Sequence, residues 1–170
     1  MKKSITIFLC LSLVFSVSLT ISAQSSGMDL DQVELMKQFS GTWKTEIGED
    51  TTFIWEIIPF GKGYEAIGNY KAKGEIYSTK KSIFGFANKM KKVNMFHLYQ
   101  GGDITRALGE FVSENKIVME FLNFDHSMIL AKWESSFSTP DKFKITYNWK
   151  GGAETWVDTN VTEFNFIRVK

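Results

Sequence analysis

Apolar and polar residues alternate along most of this sequence, from Thr42 to Val169. In the clearest run, apolar residues occupy every second position with polar residues between them: Phe143, Ile145, Tyr147 and Trp149 alternate with Lys144, Thr146 and Asn148. A period of two residues is typical of a β-strand with one buried face and one solvated face. The alternation therefore predicts an all-β domain.

Clusters of turn-forming residues interrupt the alternation at nine places. Gly, Asn, Asp and Pro supply the backbone angles and local hydrogen bonds of tight turns. The predicted turns lie at residues 48–50, 59–63, 72–74, 88–92, 101–103, 113–115, 123–126, 139–141 and 150–152. Nine turns separate about ten strands, and such short connections join neighbouring strands as antiparallel hairpins.

Ten antiparallel strands in one small domain must close on themselves or fold into two layers. An open sheet of that size would leave two exposed edges and an uncovered apolar face. We expect an up-and-down β-barrel, which has no edges and leaves room for one small ligand. A β-sandwich is the alternative, but the even spacing of the turns leaves no long connection for a Greek-key return.

A short helix is predicted before the first strand. Leu30, Val33, Met36 and Phe39 follow one another at spacings of three, which gives a helix over residues 28–39 one apolar face. An aspartate near its start, Asp29 or Asp31, is expected to cap it. We expect this helix to close one end of the barrel.

The first 23 residues have the pattern of a signal peptide. Lys2 and Lys3 precede an apolar stretch over residues 5–19, and Ala23 ends a run of small residues suited to cleavage. A retained membrane anchor is the alternative, but serines and a threonine interrupt the apolar stretch, which is short for a spanning helix. We therefore expect export to the periplasm or the medium, with no membrane anchor after cleavage.

Cleavage would leave a short linker, residues 24–27, and a single domain over residues 28–170. The only cysteine, Cys10, lies within the signal peptide. The exported chain would then have no disulfide, no cysteine nucleophile and no cysteine-based metal site. The formal net charge is only +1, so no basic surface for nucleic acid is expected.

Two short motifs at opposite ends of this domain resemble the lipocalins and the wider calycin group. The first strand begins with Gly41-Thr42-Trp43, and the last strand carries Arg168 in Phe166-Ile167-Arg168-Val169. The resemblance implies that Trp43 closes the floor of the barrel and that Arg168 packs across it. The sequence is most similar to exported bacterial lipocalin-like domains of unknown function, and differs from secreted animal lipocalins in having ten expected strands and no disulfide.

His97 is the sharpest polar candidate for a binding site. It shares one face of its predicted strand with Met95 and Tyr99. One interpretation is an imidazole that binds a ligand, or a haem iron, inside the barrel. The other is a half-buried histidine whose ring is hydrogen-bonded by a neighbouring strand. We expect no metal site and no resident cofactor otherwise.

Further candidates are aromatic residues that would line a cavity, among them Trp55, Tyr70, Trp133 and Tyr147. Three ionisable residues, Arg106, Glu120 and Glu134, alternate with apolar neighbours on predicted strands. If they point inward they need partners or a polar ligand, because burying an unpaired charge is costly. If they point outward they are ordinary wall residues.

Three functions follow from these candidates. The first is a noncatalytic protein that binds a small, largely apolar ligand in the barrel, using Arg106 and the aromatic residues as its walls. The second is a structural or interaction protein of the cell envelope whose barrel is filled by its own side chains. The third is an enzyme, of hydrolase or isomerase type, that uses inward carboxylates as acid and base.

Overall fold

The computed structural model describes residues 30–122, 129–149 and 161–169. The predicted signal peptide, the linker at 24–27 and the turns at 123–126 and 150–152 lie outside these residues. The described chain begins with a short helix α1 (Gln32–Leu35), which continues as a 3-10 helical turn (Met36–Phe39). The helix is therefore shorter than the predicted span of 28–39.

Ten β-strands follow the helix. They are β1 (Gly41–Gly48), β2 (Thr51–Phe60), β3 (Gly63–Ala72), β4 (Glu75–Ala87), β5 (Lys92–Tyr99), β6 (Ile104–Ser113), β7 (Lys116–Leu122), β8 (Ile129–Thr139), β9 (Lys142–Trp149) and β10 (Val161–Arg168). Every predicted turn within the described residues falls between two strands.

The strands form a closed, all-antiparallel barrel in which each strand pairs with the next along the chain. β1 and β10 close the ring, with Trp43 opposite Arg168 and Lys44 opposite Ile167. The predicted up-and-down barrel is confirmed, and the β-sandwich alternative is wrong. Because neighbours in sequence are neighbours in the sheet, short hairpins suffice for every described connection.

The period-two pattern places apolar residues in the barrel interior. Phe53, Trp55 and Ile57 of β2 are at most 5% exposed, while Glu56 between them faces solvent. The same alternation continues on β9, where Phe143 and Ile145 are buried. The interior is rich in aromatic rings because these positions carry most of the aromatic residues of the chain.

The helical segment fills one end of the barrel. Asp31 caps α1, since its Oδ1 accepts hydrogen bonds from the backbone N–H groups of Val33 and Glu34. Met36 and Phe39 are buried. The Phe39 ring lies within 6.3 Å, centroid to centroid, of four other phenylalanines: Phe84, Phe111, Phe137 and Phe143. Aromatic rings therefore pack the interior at this end of the barrel.

Trp43 and Arg168 meet where the barrel closes. Trp43 is fully buried, and its indole N–H donates to the carbonyl of Phe39 at 2.7 Å. The Arg168 guanidinium carbon lies 4.1 Å from the centroid of the Trp43 ring. The guanidinium also donates to the carbonyls of Ser40, Gln38 and Pro140. One side chain thus ties together the helical turn, the first strand and the β8–β9 hairpin.

Gly41 allows this close approach. Its φ is +120°, in a region that side chains other than glycine rarely adopt. A Cβ atom at this position would overlap the guanidinium of Arg168. The glycine that opens β1 therefore allows both the bend of the backbone and the close packing of Arg168 against it.

Replacing Arg168 by alanine should lower the free energy of unfolding by roughly 2 to 4 kcal/mol, because a cation–π contact and several charged hydrogen bonds are lost together. Arg168→Lys should recover little of this loss, since an ammonium group lacks the planar fork that reaches several carbonyls. Urea denaturation followed by tryptophan fluorescence would measure both values.

The control is Lys144→Ala, which removes an exposed ion pair to Glu163 between β9 and β10. Exposed ion pairs contribute at most about 1 kcal/mol, so this variant should stay near the wild type. Equal losses for Arg168→Ala and Lys144→Ala would contradict a closing role for Arg168.

Candidate functional site

The end of the barrel opposite the helix is hollow. A cavity of about 250 Å³ lies among residues from six strands: Thr45, Ile47, Phe53, Trp55, Tyr70, Lys80, Ile145, Tyr147, Phe164 and Phe166. Ile47 lies near the end of β1 and Tyr70 near the end of β3, whereas Trp43 at the start of β1 lies beside the helical turn. The cavity is therefore on the far side of the core from α1.

A second cavity, of about 370 Å³, adjoins the first. The two share four wall residues: Tyr70, Lys80, Tyr147 and Phe164. The remaining walls of the second cavity include Tyr99 of β5, Phe121 of β7 and Trp149 of β9. Together the two cavities form the open-end pocket, a space in the range that small-ligand sites occupy.

Aromatic rings make up most of this wall. The rings of Phe53 and Tyr70 lie 4.6 Å apart, centroid to centroid. The rings of Tyr147 and Trp149 are stacked at 5.7 Å. Period-two alternation on β2, β3 and β9 points these rings to the same interior, because inward positions recur at every second residue. The resulting wall is apolar and carries a few phenolic hydroxyls.

The tyrosine hydroxyls are protonated at neutral pH. Burial raises the pKa of Tyr70 to about 12 and also raises the pKa values of Tyr99 and Tyr147. These residues therefore bring neutral donors and acceptors, and no negative charge, to the open-end pocket.

Among the described residues that line the two cavities, Lys80 is the one cation. Its side chain is buried, and its Nζ lies 4.9 Å from the centroid of the Phe53 ring and 5.4 Å from that of the Trp55 ring. It sits opposite Gly68 of β3. A Cβ atom at Gly68 would lie 2.5 Å from the Phe53 ring and 3.0 Å from Lys80 Cγ. The missing side chain of Gly68 therefore makes room for Phe53 and for the stem of Lys80.

Burial lowers the pKa of the Lys80 ammonium from 10.5 to about 8. In the part of the chain that the structure describes, no carboxylate forms an ion pair with Lys80, and its ammonium lies within cation–π distance of two aromatic rings. At pH 7 the group is still mostly charged. Among the described residues, the buried positive charge of the open-end pocket therefore has no acidic partner.

Sequence analysis missed Lys80. Lys80 and Lys81 are adjacent, so a polar residue occurs on both faces of β4 and the alternation is lost at that point. The orientation of Lys80 is indicated two and four residues further along, where Ser82 and Phe84 are buried on the same face of β4. Counting back from Phe84 in steps of two identifies Lys80 as an inward residue.

His97 is buried beside the open-end pocket but lines neither of its two cavities. Its Nδ1 lies 2.6 Å from Ser82 Oγ, and its ring is stacked against Phe121 at 5.7 Å. Burial lowers its pKa to about 3, with a further contribution from the charge of Lys80. The imidazole is therefore neutral at physiological pH.

The surroundings of His97 do not fit a haem. With Nδ1 engaged by Ser82, only Nε2 is free to bind a metal, and it is buried among packed side chains. His97 is on the wall of neither described cavity, whereas an axial ligand must turn a ring nitrogen toward an open space. Within the described residues we assign His97 to the core.

The predicted site residues separate into three groups. Trp55, Tyr70, Tyr99 and Tyr147 line the open-end pocket. Met95 and Trp133 are buried in the core outside its walls, and the Trp133 indole donates to Ser135 Oγ at 2.6 Å. The third group is Arg106, which lies on the outer face.

Arg106 does not line the interior and takes the outward orientation, one of the two that the sequence leaves open. Its Nε donates to Asn94 Oδ1 at 2.9 Å, and its guanidinium carbon lies 5.3 Å from the Phe96 ring on the outside of β5. The physical reason is the register of β6, in which Ala107, the next residue, is fully buried. The smaller apolar residue occupies the interior, and the arginine remains hydrated.

Glu120 and Glu134 also face outward. Each is 40% or more exposed and pairs with a lysine on a neighbouring strand: Glu120 with Lys132 at 3.6 Å and Glu134 with Lys116 at 2.6 Å. The interior positions beside them are taken by Met119, Phe121 and Trp133. These two carboxylates therefore do not form the inward acid–base pair that the enzyme hypothesis requires.

Comparison of the sequence with models of known protein families and with curated proteins gives no match. Among the described residues, no helix has the length and apolar character needed to cross a membrane. In the same residues, no three His, Cys, Asp or Glu side chains come together in a group that would hold a metal ion.

Removing the Lys80 charge should stabilise the protein. The lowered pKa corresponds to a cost on the order of 3 kcal/mol for keeping the buried ammonium charged at pH 7. Lys80→Met, which conserves the apolar stem, should raise the free energy of unfolding at pH 7 by about 1 to 3 kcal/mol. Denaturant unfolding at several pH values would test this.

The stability of the wild type should also depend on pH, because the pKa of Lys80 differs between the folded and unfolded protein. Between about pH 8 and 10.5 the unfolded chain keeps the proton that the folded protein has released, so the wild type gains stability as pH rises. Its difference from Lys80→Met should therefore shrink across that window. Lys81→Met, at the exposed neighbouring position, should show neither effect. A loss of stability in Lys80→Met at pH 7 would contradict this assignment.

Proposed function

We propose that this protein binds a small, largely apolar ligand noncatalytically in the open-end pocket. The observation that carries the proposal is the pair of adjoining cavities walled by aromatic residues from six of the ten strands. Apolar pockets with a few polar groups that fix orientation are the usual form of small-molecule sites. The rings provide apolar contact area for the ligand, and the tyrosine hydroxyls and Lys80 fix its orientation.

The contrast between the two ends of the barrel supports this proposal over a filled, purely structural barrel. At the helical end, Phe39 and its neighbouring rings fill the interior. At the other end, the inward side chains leave space between them. A barrel that served only as a scaffold would gain stability from filling this space, because cavities lose packing contacts.

We further propose that the protein is a lipocalin-like member of the calycin group, exported through the segment at residues 1–23 to the periplasm or the medium. Support comes from the closed meander barrel, the short helix at one end, and Gly41-Thr42-Trp43 with Arg168 packed across the indole. Trp43 and Arg168 belong to the closed end and are structural, so the binding role falls to residues at the opposite end.

Native mass spectrometry of the exported protein, purified from its own cells, would test the binding function. We expect an additional mass beyond that of the chain, and its loss after extraction with organic solvent. The extracted material would identify the ligand. A bare mass from freshly purified protein, together with no binding of a neutral fluorescent probe such as N-phenyl-1-naphthylamine, would contradict the proposal.

Filling the pocket should block binding. Ile47→Trp adds a large ring to a residue on the wall of the first cavity and should weaken binding of the naphthylamine probe by about tenfold or more. Probe fluorescence would measure the affinity.

Ile104→Trp is the matched control, since Ile104 is 59% exposed on β6 and is on neither cavity wall. It should bind the probe as the wild type does. If Ile47→Trp and Ile104→Trp bind the probe with equal affinity, the probe does not bind in the open-end pocket, and this result would contradict the proposal.

A further inference from the structure

We propose that the ligand of this pocket is an amphiphile with an acidic head group, and that Lys80 pairs with its carboxylate inside the barrel. This inference rests on the proposed binding function and names the chemical class of the ligand.

The charge of the pocket points to an anion. Lys80 brings an ammonium group into a wall of aromatic rings, and no described Asp or Glu is on the wall of either cavity. An unpaired buried charge is costly, and a partner of opposite sign recovers part of the cost. An acidic ligand would bring that partner with it.

The described groups that face Lys80 carry no compensating negative charge. Among the described residues, the titratable side chains on the packed elements are Tyr70 of β3, His97 and Tyr99 of β5, and Tyr147 of β9. Burial keeps the tyrosines protonated and the imidazole deprotonated at neutral pH, so all four are neutral. The facing residues of β1, β2 and β10 are Thr45, Ile47, Phe53, Trp55, Phe164 and Phe166, which carry no charge.

The position of Lys80 also fits a head group with an apolar chain. Lys80 is on the wall of both cavities and therefore lies at their junction. If the carboxylate of the ligand binds at this junction, its apolar chain can lie along the aromatic wall of either cavity. Because Gly68 leaves room for the Lys80 stem, the side chain can enter the interior beside Phe53.

The pairing predicts a pH dependence. A carboxylate ligand favours the charged amine, so binding should be strong at pH 7 and should weaken as pH rises through about 8, where the free amine loses its proton. An uncharged ligand of the same length should show no such change.

The experiment compares dodecanoate with 1-dodecanol, each displacing N-phenyl-1-naphthylamine from the wild-type protein, Lys80→Met and Lys81→Met. We expect the wild type to bind the acid at least about tenfold more tightly than the alcohol at pH 7. Lys80→Met should lose this preference while keeping its affinity for the alcohol. Lys81→Met, altered at the exposed neighbouring lysine, should keep both affinities.

Lys80→Arg serves as the second variant, because it keeps the charge and should keep a preference for the acid below pH 8 and at pH 9 alike. Equal affinities of acid and alcohol in the wild type, or an acid preference that survives in Lys80→Met, would overturn the inference and leave the binding function standing. If neither compound displaces the probe and the probe itself does not bind, the proposed function fails as well.

Discussion

The closure of the barrel between its first and last strands is the constraint on which the rest of the structure depends. β1 and β10 meet along a short pairing, and the Arg168 guanidinium strengthens it by stacking on Trp43 and by donating to three carbonyls, two beside the helical turn and one in the β8–β9 hairpin. Without that closure, two strand edges and an aromatic interior would be open to water. The inward positions are fixed only once the ring is closed.

Closure divides the interior into two ends with different roles. Phe39 and its ring neighbours pack the interior at the helical end, which compensates for the space left at the other end. Lys80 lies in that space at a cost in stability, since burial of its ammonium lowers the pKa to about 8. A barrel that carries both an internal cavity and a buried cation trades stability for a binding site, as functional sites commonly do.

Much of the fold could be predicted from the sequence, because strand alternation and turn residues are local signals. Which face of a strand lies inside was harder to predict where the alternation is weak. Residues 118–122 are apolar on both faces, so the sequence does not show whether Glu120 faces the interior or the solvent. The pairing of β7 with β8 places it outside. Lys80 is difficult to place for a related reason: Lys81 follows it, so both faces of β4 carry a polar residue at this point. The orientation of Glu120 depends on a partner strand that no local pattern reveals, whereas that of Lys80 follows from the inward positions of Ser82 and Phe84 on the same strand.

The most direct measurement is the titration of Lys80 itself, followed by NMR of the side-chain nitrogen and its neighbouring carbon in the free protein and with dodecanoate bound. A pocket that buries an unpaired ammonium predicts a pKa near 8 in the free protein, and a rise to above about 10 when the carboxylate pairs with it. A pKa near the ordinary 10.5 in the free protein, or one that dodecanoate leaves unchanged, would contradict the assignment of Lys80 as the charged centre of a binding pocket.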